Sequence, residues 1–141
     1  MQSQSTTVVT SAGLIAGFAA ALFALAAYAA DPHYGRIAFS EGEEGDPTDV
    51  FAPDTASIFL HAELLDMVDG TKLSGTWIAE KTDAAPPNYK IDSTTLAAGG
   101  NMKEATFSIT KPNAGWPVGD YRVDMTINGQ TVKSAKFRVE K

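Results

Sequence analysis

Residues 119–139, GDYRVDMTINGQTVKSAKFRV, decide the fold of this chain because they contain two alternating segments joined by a turn. Apolar residues occupy every second position on both sides of the turn: Tyr121, Val123, Met125, Ile127, Ala135, Phe137 and Val139. Asn128 and Gly129 tolerate the positive φ that the two central positions of a type I′ turn require. The stretch therefore predicts an antiparallel hairpin with one buried and one solvated face.

The same alternation occurs upstream of the hairpin, at residues 57–64, 71–80 and 104–110, and a further candidate strand covers 89–96. Clusters of Gly, Pro and Asn separate these segments. A sheet with one apolar face needs a second apolar layer, so about six or seven short strands predict a small all-β antiparallel sandwich. The sequence contains no Cys. No disulfide can therefore stabilise the sandwich, and its stability must come from the packing of its core.

Two segments, GTWIAE (75–80) and ATFSITKPNAGWPVGDYRVDMTINGQTVKSAKFRVE (105–140), resemble an immunoglobulin-like β-sandwich module of bacterial and archaeal membrane-anchored or exported proteins. The module's K-P-x-x-G-W-P-x-G-x-Y-R-V run matches within residues 110–123, and the resemblance covers roughly residues 50–141. It implies the fold but no activity, since the module has no agreed activity. The residues it marks as structural are Trp77, Gly115, Trp116, Pro117, Gly119, Tyr121, Asn128 and Gly129.

An apolar run, AGLIAGFAAALFALAAYAA, occupies residues 12–30, and no charged side chain precedes Asp31. As a helix, its nineteen residues would extend about 28 Å, close to the hydrocarbon thickness of a bilayer. A cleaved signal peptide is the alternative, because Ala27 and Ala29 form an Ala-x-Ala site. However, no Lys or Arg precedes the run, and it exceeds the usual signal-peptide core of about 7–15 residues. We therefore predict one retained N-terminal transmembrane α-helix within residues 1–30.

Small residues form a stripe on this predicted helix. Gly13 and Gly17 make a GxxxG pattern, and Ala20 and Ala24 continue it. Small side chains allow another helix to approach closely, which favours helix association inside lipid. The stripe predicts a packing interface with other transmembrane helices, whereas a merely Ala-rich composition is the alternative. Few cations follow the run, so we expect a cytoplasmic N-terminus and an exported C-terminal domain.

The negative charge of the chain is concentrated in one segment. The net charge is −6, and residues 31–54 account for it with seven acids and one base. Residues 55–141, the predicted sandwich, contain ten acids and ten bases. This balance argues against nucleic acid as a partner, because nucleic acid selects a basic face.

Residues 31–54 are rich in Gly, Pro and acids, which predicts an acidic juxtamembrane linker. Three roles are open: a solvated spacer, a strip that meets a basic partner, and a calcium site that lacks the usual loop spacing. The residues of the predicted partner-facing strip are Glu41, Glu43, Glu44, Asp46 and Asp49.

The sequence offers little for catalysis. His33 and His61 stand apart from other ligand residues, there is no thiol, and no GxSxG, HExxH or phosphate-binding glycine loop occurs. We therefore predict no catalytic, cofactor or metal site, and no small-molecule substrate is evident.

These features predict a non-catalytic, single-pass accessory subunit of a bacterial membrane complex in the respiratory or photosynthetic class, such as a reaction-centre–light-harvesting assembly. The helix would pack against other transmembrane subunits in the inner membrane, and the sandwich would brace their periplasmic face. One alternative is an exported or tethered module that binds a peptide, glycan or surface partner. A filament subunit is a further alternative. The absence of a basic leader before the apolar run argues against it.

Overall fold

The structure, a computed structural model, describes residues 30–141. This part of the chain contains eight β-strands. They are β1 (His33–Ser40), β2 (Val50–Phe51), β3 (Ser57–Leu65), β4 (Thr71–Thr82), β5 (Tyr89–Ala98), β6 (Glu104–Thr110), β7 (Gly119–Ile127) and β8 (Gln130–Val139). Within these residues no helix has the length and apolar character that crossing a membrane requires. The predicted transmembrane helix, with Gly13, Gly17, Ala20 and Ala24, lies outside the described residues.

The strands form two sheets that enclose one core. The first sheet has the order β1-β3-β6, and the second has the order β2-β8-β7-β4-β5. Neighbouring strands are antiparallel, except that β2 runs parallel to β8. The chain therefore changes sheet between Ser40 and Val50. The predicted all-β antiparallel sandwich is confirmed for residues 30–141.

The predicted linker at 31–54 is wrong in its boundaries, because the folded unit begins at Pro32 and β1 lies inside the segment. Tyr34 and Phe39 of β1 are buried in the core. A bulge between Tyr34 and Ile37 breaks the alternation of this strand, and that irregularity hides the period-two pattern on which strand prediction depends. The loop of this region is residues 41–49, and β2 follows it.

Aromatic side chains from both sheets meet in the core. Phe39 of the first sheet lies 5.0 Å, between ring centroids, from Phe137 of the second. Phe137 also stacks on Tyr121 at 5.0 Å and contacts Trp77 edge-on at 6.0 Å. Offset and edge-on geometries of this kind are the favourable ones for aromatic rings. The two sheets are thus joined by aromatic packing.

The β7–β8 hairpin has the turn that the sequence predicts. Asn128 has φ +50° and Gly129 has φ +87°, as a type I′ turn needs. Asn128 also ties the turn to β4: its Oδ1 accepts the backbone N–H of Lys72 at 2.9 Å, and its own N–H donates to the Lys72 carbonyl at 2.8 Å. One residue therefore fixes the ends of two neighbouring strands.

Two glycines with positive φ make a matched test of the packing. At Gly119, φ is +152° and an added Cβ would overlap the carbonyl oxygen of Lys81. At Gly129, an added Cβ would meet nothing within 4 Å. We expect Gly119→Ala to lower the free energy of unfolding by about 3 kcal/mol or more, because the β4 backbone must move. Gly129→Ala should cost only about 1–2 kcal/mol of backbone strain. Urea unfolding of the two variants checks this, and equal losses would contradict it.

Candidate interaction site

The loop between β6 and β7, residues 111–118, closes one end of the sandwich. Gly115 has φ +89°, which places the next residue, Trp116, over the core. Trp116 is buried, its backbone N–H donates to the Pro53 carbonyl at 2.8 Å, and its Nε1–H donates to the Thr55 carbonyl at 2.9 Å. Both donors of this residue are therefore engaged inside the protein, which gives Trp116 a structural position.

Tyr121, near the start of β7, also holds the 111–118 loop in place. Its hydroxyl donates to the carbonyl of Pro117, and its ring contacts Trp116 edge-on at 6.0 Å between centroids. A tyrosine that bonds back across the connection between two sheets in this way is the tyrosine corner of immunoglobulin-like sandwiches. Burial raises the pKa of Tyr121 to about 12.

An apolar cleft of about 250 Å³ opens beside this corner. Its walls are the β4–β5 turn on one side and the 111–118 loop on the other. The lining residues are Ala79, Thr82, Ala84, Ala85, Tyr89, Ile91, Pro112, Ala114, Gly115, Trp116, Pro117 and Tyr121. Tyr89 is half exposed at 51%. The lining contains no carboxylate, imidazole or amine, so the cleft suits an apolar group of a partner and offers no acid–base pair.

A Ser–His contact lies elsewhere, on the outer side of the first sheet. His61 Nε2 is 2.9 Å from Ser40 Oγ, and its Nδ1 is 3.3 Å from Thr106 Oγ1. Ser40 Oγ donates to the Gly42 carbonyl at 2.5 Å and is thus the acceptor toward His61. The ring nitrogen that faces the serine is accordingly protonated, and we assign this tautomer from the hydrogen bonds.

This arrangement opposes nucleophile activation. A catalytic histidine removes the serine proton, whereas here the histidine donates to the serine, and Ser40 is buried at 1% exposure. The contact instead connects all three strands of the first sheet, because Ser40, His61 and Thr106 belong to β1, β3 and β6. Sequence reasoning missed it because the Ser40 and His61 positions are 21 residues apart.

The acidic loop, residues 41–49, carries the predicted partner-facing strip. All five of its acids are exposed: Glu41, Glu43, Glu44, Asp46 and Asp49. The loop is held to both sheets, since Thr48 N–H donates to the Phe39 carbonyl at 2.9 Å and Arg138 N–H donates to the Asp49 carbonyl at 2.8 Å. Between residues 30 and 141, no group of three or more His, Cys, Asp or Glu is arranged to hold a metal ion.

A charged network covers the outer face of the second sheet. Arg122 of β7 bonds Glu80 at 3.1 Å, Asp124 at 3.0 Å and Asn88 at 2.8 Å. Partial burial lowers the pKa of the Arg122 guanidinium, but the bonds to Asp124 and Glu80 outweigh it and raise the pKa above its ordinary value. Because Asn88 belongs to the β4–β5 turn, this network also fixes one wall of the cleft.

The remaining residues that the resemblance marks as structural also have defined places. Trp77 is buried at the centre of β4, Pro117 accepts the corner hydrogen bond, and Gly119 pairs with Thr82 where β4 ends. Whether the acidic strip contacts a partner stays a prediction, as does the packing role of the small residues in 12–30.

Comparison with solved structures defines the fold. An immunoglobulin-like protein from Pseudomonas aeruginosa superposes with a TM-score of 0.54 and 13% identity, covering 80% of this chain and 99% of that one. This chain has an immunoglobulin-like fold. Parts of two β-glucosidases also match, from Listeria innocua (TM-score 0.48, 11% identity, 79% of this chain) and Trichoderma reesei (TM-score 0.43, 16% identity, 78% of this chain). The chain spans only 16% and 19% of those two enzymes. No family model and no curated protein sequence matches.

Two buried tyrosines predict that this immunoglobulin-like sandwich loses stability in alkali. Burial raises the pKa of Tyr34, whose hydroxyl donates to the Thr126 carbonyl, and of Tyr121 from 10.0 to about 12. The folded state keeps these protons while the unfolded state loses them above pH 10, so stability present below pH 10 falls between pH 10 and 12. We expect a loss of up to about 2 kcal/mol per tyrosine.

Urea unfolding at several pH values, with Tyr34→Phe and Tyr121→Phe, checks this prediction. Each variant should be less stable at pH 8, because a part-buried carbonyl loses its donor, and should show a shallower decline above pH 10. An unchanged decline in both variants would show that other groups cause it.

The Ser40 contact yields a prediction about the acidic loop. Ser40→Ala removes the donor to Gly42 and the acceptor for His61, so we expect a loss of about 1–3 kcal/mol in unfolding free energy. Hydrogen exchange in residues 41–49 should accelerate. Glu43→Gln, at an exposed position of the same loop, is the control and should change this exchange less. Equal effects of the two substitutions would contradict the assigned role of Ser40.

Proposed function

We propose that this protein is a non-catalytic, single-pass subunit of a bacterial membrane protein complex, anchored by residues 12–30, with its immunoglobulin-like sandwich outside the cytoplasm. The observation that carries the proposal is the short connection between the apolar run and the sandwich. The uncharged run ends at Ala30, and β1 begins at His33. A hydrophobic segment long enough for a bilayer is thus joined directly to a folded domain. Respiratory and photosynthetic assemblies are the settings we propose.

The use of the polar side chains in the sandwich supports a non-catalytic role. His61 bonds both Ser40 and Thr106, and Arg122 and Glu80 form an ion pair at 3.1 Å. These groups hold strands together, and the cleft has no acid–base pair. Rigid scaffolds that present loops at one end are well suited to recognition.

The composition of the run supports a protein partner within the membrane. Gly13, Gly17, Ala20 and Ala24 repeat at spacings of three and four residues, which places them along one side of a helix. Lipid itself does not require small side chains, whereas a neighbouring helix does.

The apolar cleft favours a second candidate, a tethered binding module that takes an apolar side chain of an extracytoplasmic partner. The half-exposed Tyr89 and the exposed Ala114 form part of its lining. Ala114→Trp should fill the cleft without disturbing the core. If Ala114→Trp abolishes partner binding while substitutions in residues 12–30 leave it unchanged, the second candidate is favoured.

Extraction of native membranes in mild detergent, followed by native electrophoresis and mass spectrometry, tests the main proposal. We expect the chain to comigrate with other transmembrane proteins. A free monomer after extraction would contradict the proposal.

Substitutions in the run locate the contact. Gly17→Leu should release the chain from the complex, because a larger side chain prevents close approach of a second helix. The matched control is Phe18→Leu, which changes the neighbouring residue outside the small-residue stripe and should leave comigration intact. The urea unfolding of the sandwich should be the same in both variants. Unchanged comigration of Gly17→Leu would show that the stripe is not the contact.

A further inference from the structure

An apolar tip protrudes between β3 and β4, formed by Leu65, Met67 and Val68. Val68 is 61% exposed and Leu65 is 36% exposed, while Met67 packs in part against the core. The turn is held by its own bonds, in which Thr71 Oγ1 donates to the Val68 carbonyl at 2.6 Å. Val68 is therefore displayed by an ordered turn.

The tip lies at the end of the sandwich where the chain enters β1. His33, the first residue of β1, is the register partner of Leu65, the last residue of β3. The β7–β8 turn lies at this end as well, because Asn128 bonds Lys72 at the start of β4. The cleft and Trp116 lie at the other end, about 30 Å away along the nine residues of β7.

The length of chain before β1 limits how far this end can stand from a bilayer. From Ala30, the last residue of the apolar run, to His33 is three residues, which extend at most about 11 Å. The headgroup layer on each side of the hydrocarbon is about 5–8 Å thick. If the run spans the bilayer to its end, the first residue of β1 lies within or just above the headgroups.

We propose that the tip of Leu65, Met67 and Val68 contacts the lipid headgroup layer of the membrane that anchors the protein. The inference rests on the proposed anchoring by residues 12–30. Asp66 and Asp69 belong to the same turn and are exposed, with Asp66 lying 3.9 Å from His33 Nδ1 and Asp69 accepting the backbone N–H of Gly100. Carboxylates are costly to bury in hydrocarbon, so the contact is with the headgroups and the hydrocarbon is not entered. The opposite end, with the cleft, is then directed away from the lipid and is free for a protein partner.

Site-specific fluorescence on the full chain tests the contact, and the absence of Cys makes labelling unique. Val68→Cys carries an environment-sensitive dye, and the protein is reconstituted in phosphatidylcholine vesicles that contain a headgroup-linked quencher. Val118→Cys is the matched control, since Val118 is also an exposed valine, at 43%, but lies at the other end. We expect a blue shift and strong quenching at position 68 and neither at position 118.

The outcomes separate this inference from the proposed function. If the protein fails to associate with vesicles, the anchoring itself is wrong. If it associates and position 68 behaves like position 118, anchoring stands and the tip contact is wrong. Hydrogen exchange of the unmodified protein provides a second measurement, in which residues 66–70 should be slower to exchange in vesicles than in detergent while residues 111–118 are unchanged. Equal exchange of 66–70 in both media would overturn the inference.

Discussion

Aromatic rings packed between the two sheets, with Phe137 at their centre, hold the sandwich together. In antibody domains a disulfide joins the sheets beside a buried tryptophan, and the second Cys follows the corner tyrosine by two residues. Here that position is Val123, which is fully buried, and the chain contains no Cys. Trp77 keeps the tryptophan position, and its Nε1 has no partner among the described residues. Burial of Trp77 and its neighbours must therefore outweigh an unsatisfied donor.

This packing also determines where the cleft lies. The ring of Tyr121 contacts both Phe137 and Trp116, so aromatic packing continues from the core into the loop that closes the sandwich. That loop forms one wall of the cleft, and the Arg122–Asn88 bond fixes the other. The cleft is thus presented by a rigid framework, and a contact there costs little ordering of the protein.

Sequence patterns predicted the strands from β3 onward and missed β1 and β2. The β7–β8 hairpin follows from strict alternation around Asn128 and Gly129. By contrast, β1 is hidden by its bulge, and β2 has only two residues, Val50 and Phe51, too few for a period. The cleft was not predictable, because two loops that are distant in sequence create it. The tyrosine corner could have been predicted from the sequence, because Tyr121 follows Pro117 by four residues, and in that motif the Tyr bonds the backbone a few residues upstream.

We propose that residues 12–30 remain in the mature protein as the anchor of a sandwich that acts through contact. Intact-mass and N-terminal analysis of the mature chain, recovered from separated membrane and soluble fractions, tests it most directly. We expect a membrane-bound chain whose N-terminus precedes residue 12. A soluble chain that begins at Ala30 or Asp31 would contradict it, because the apolar run would then be a signal peptide and the sandwich a free exported domain.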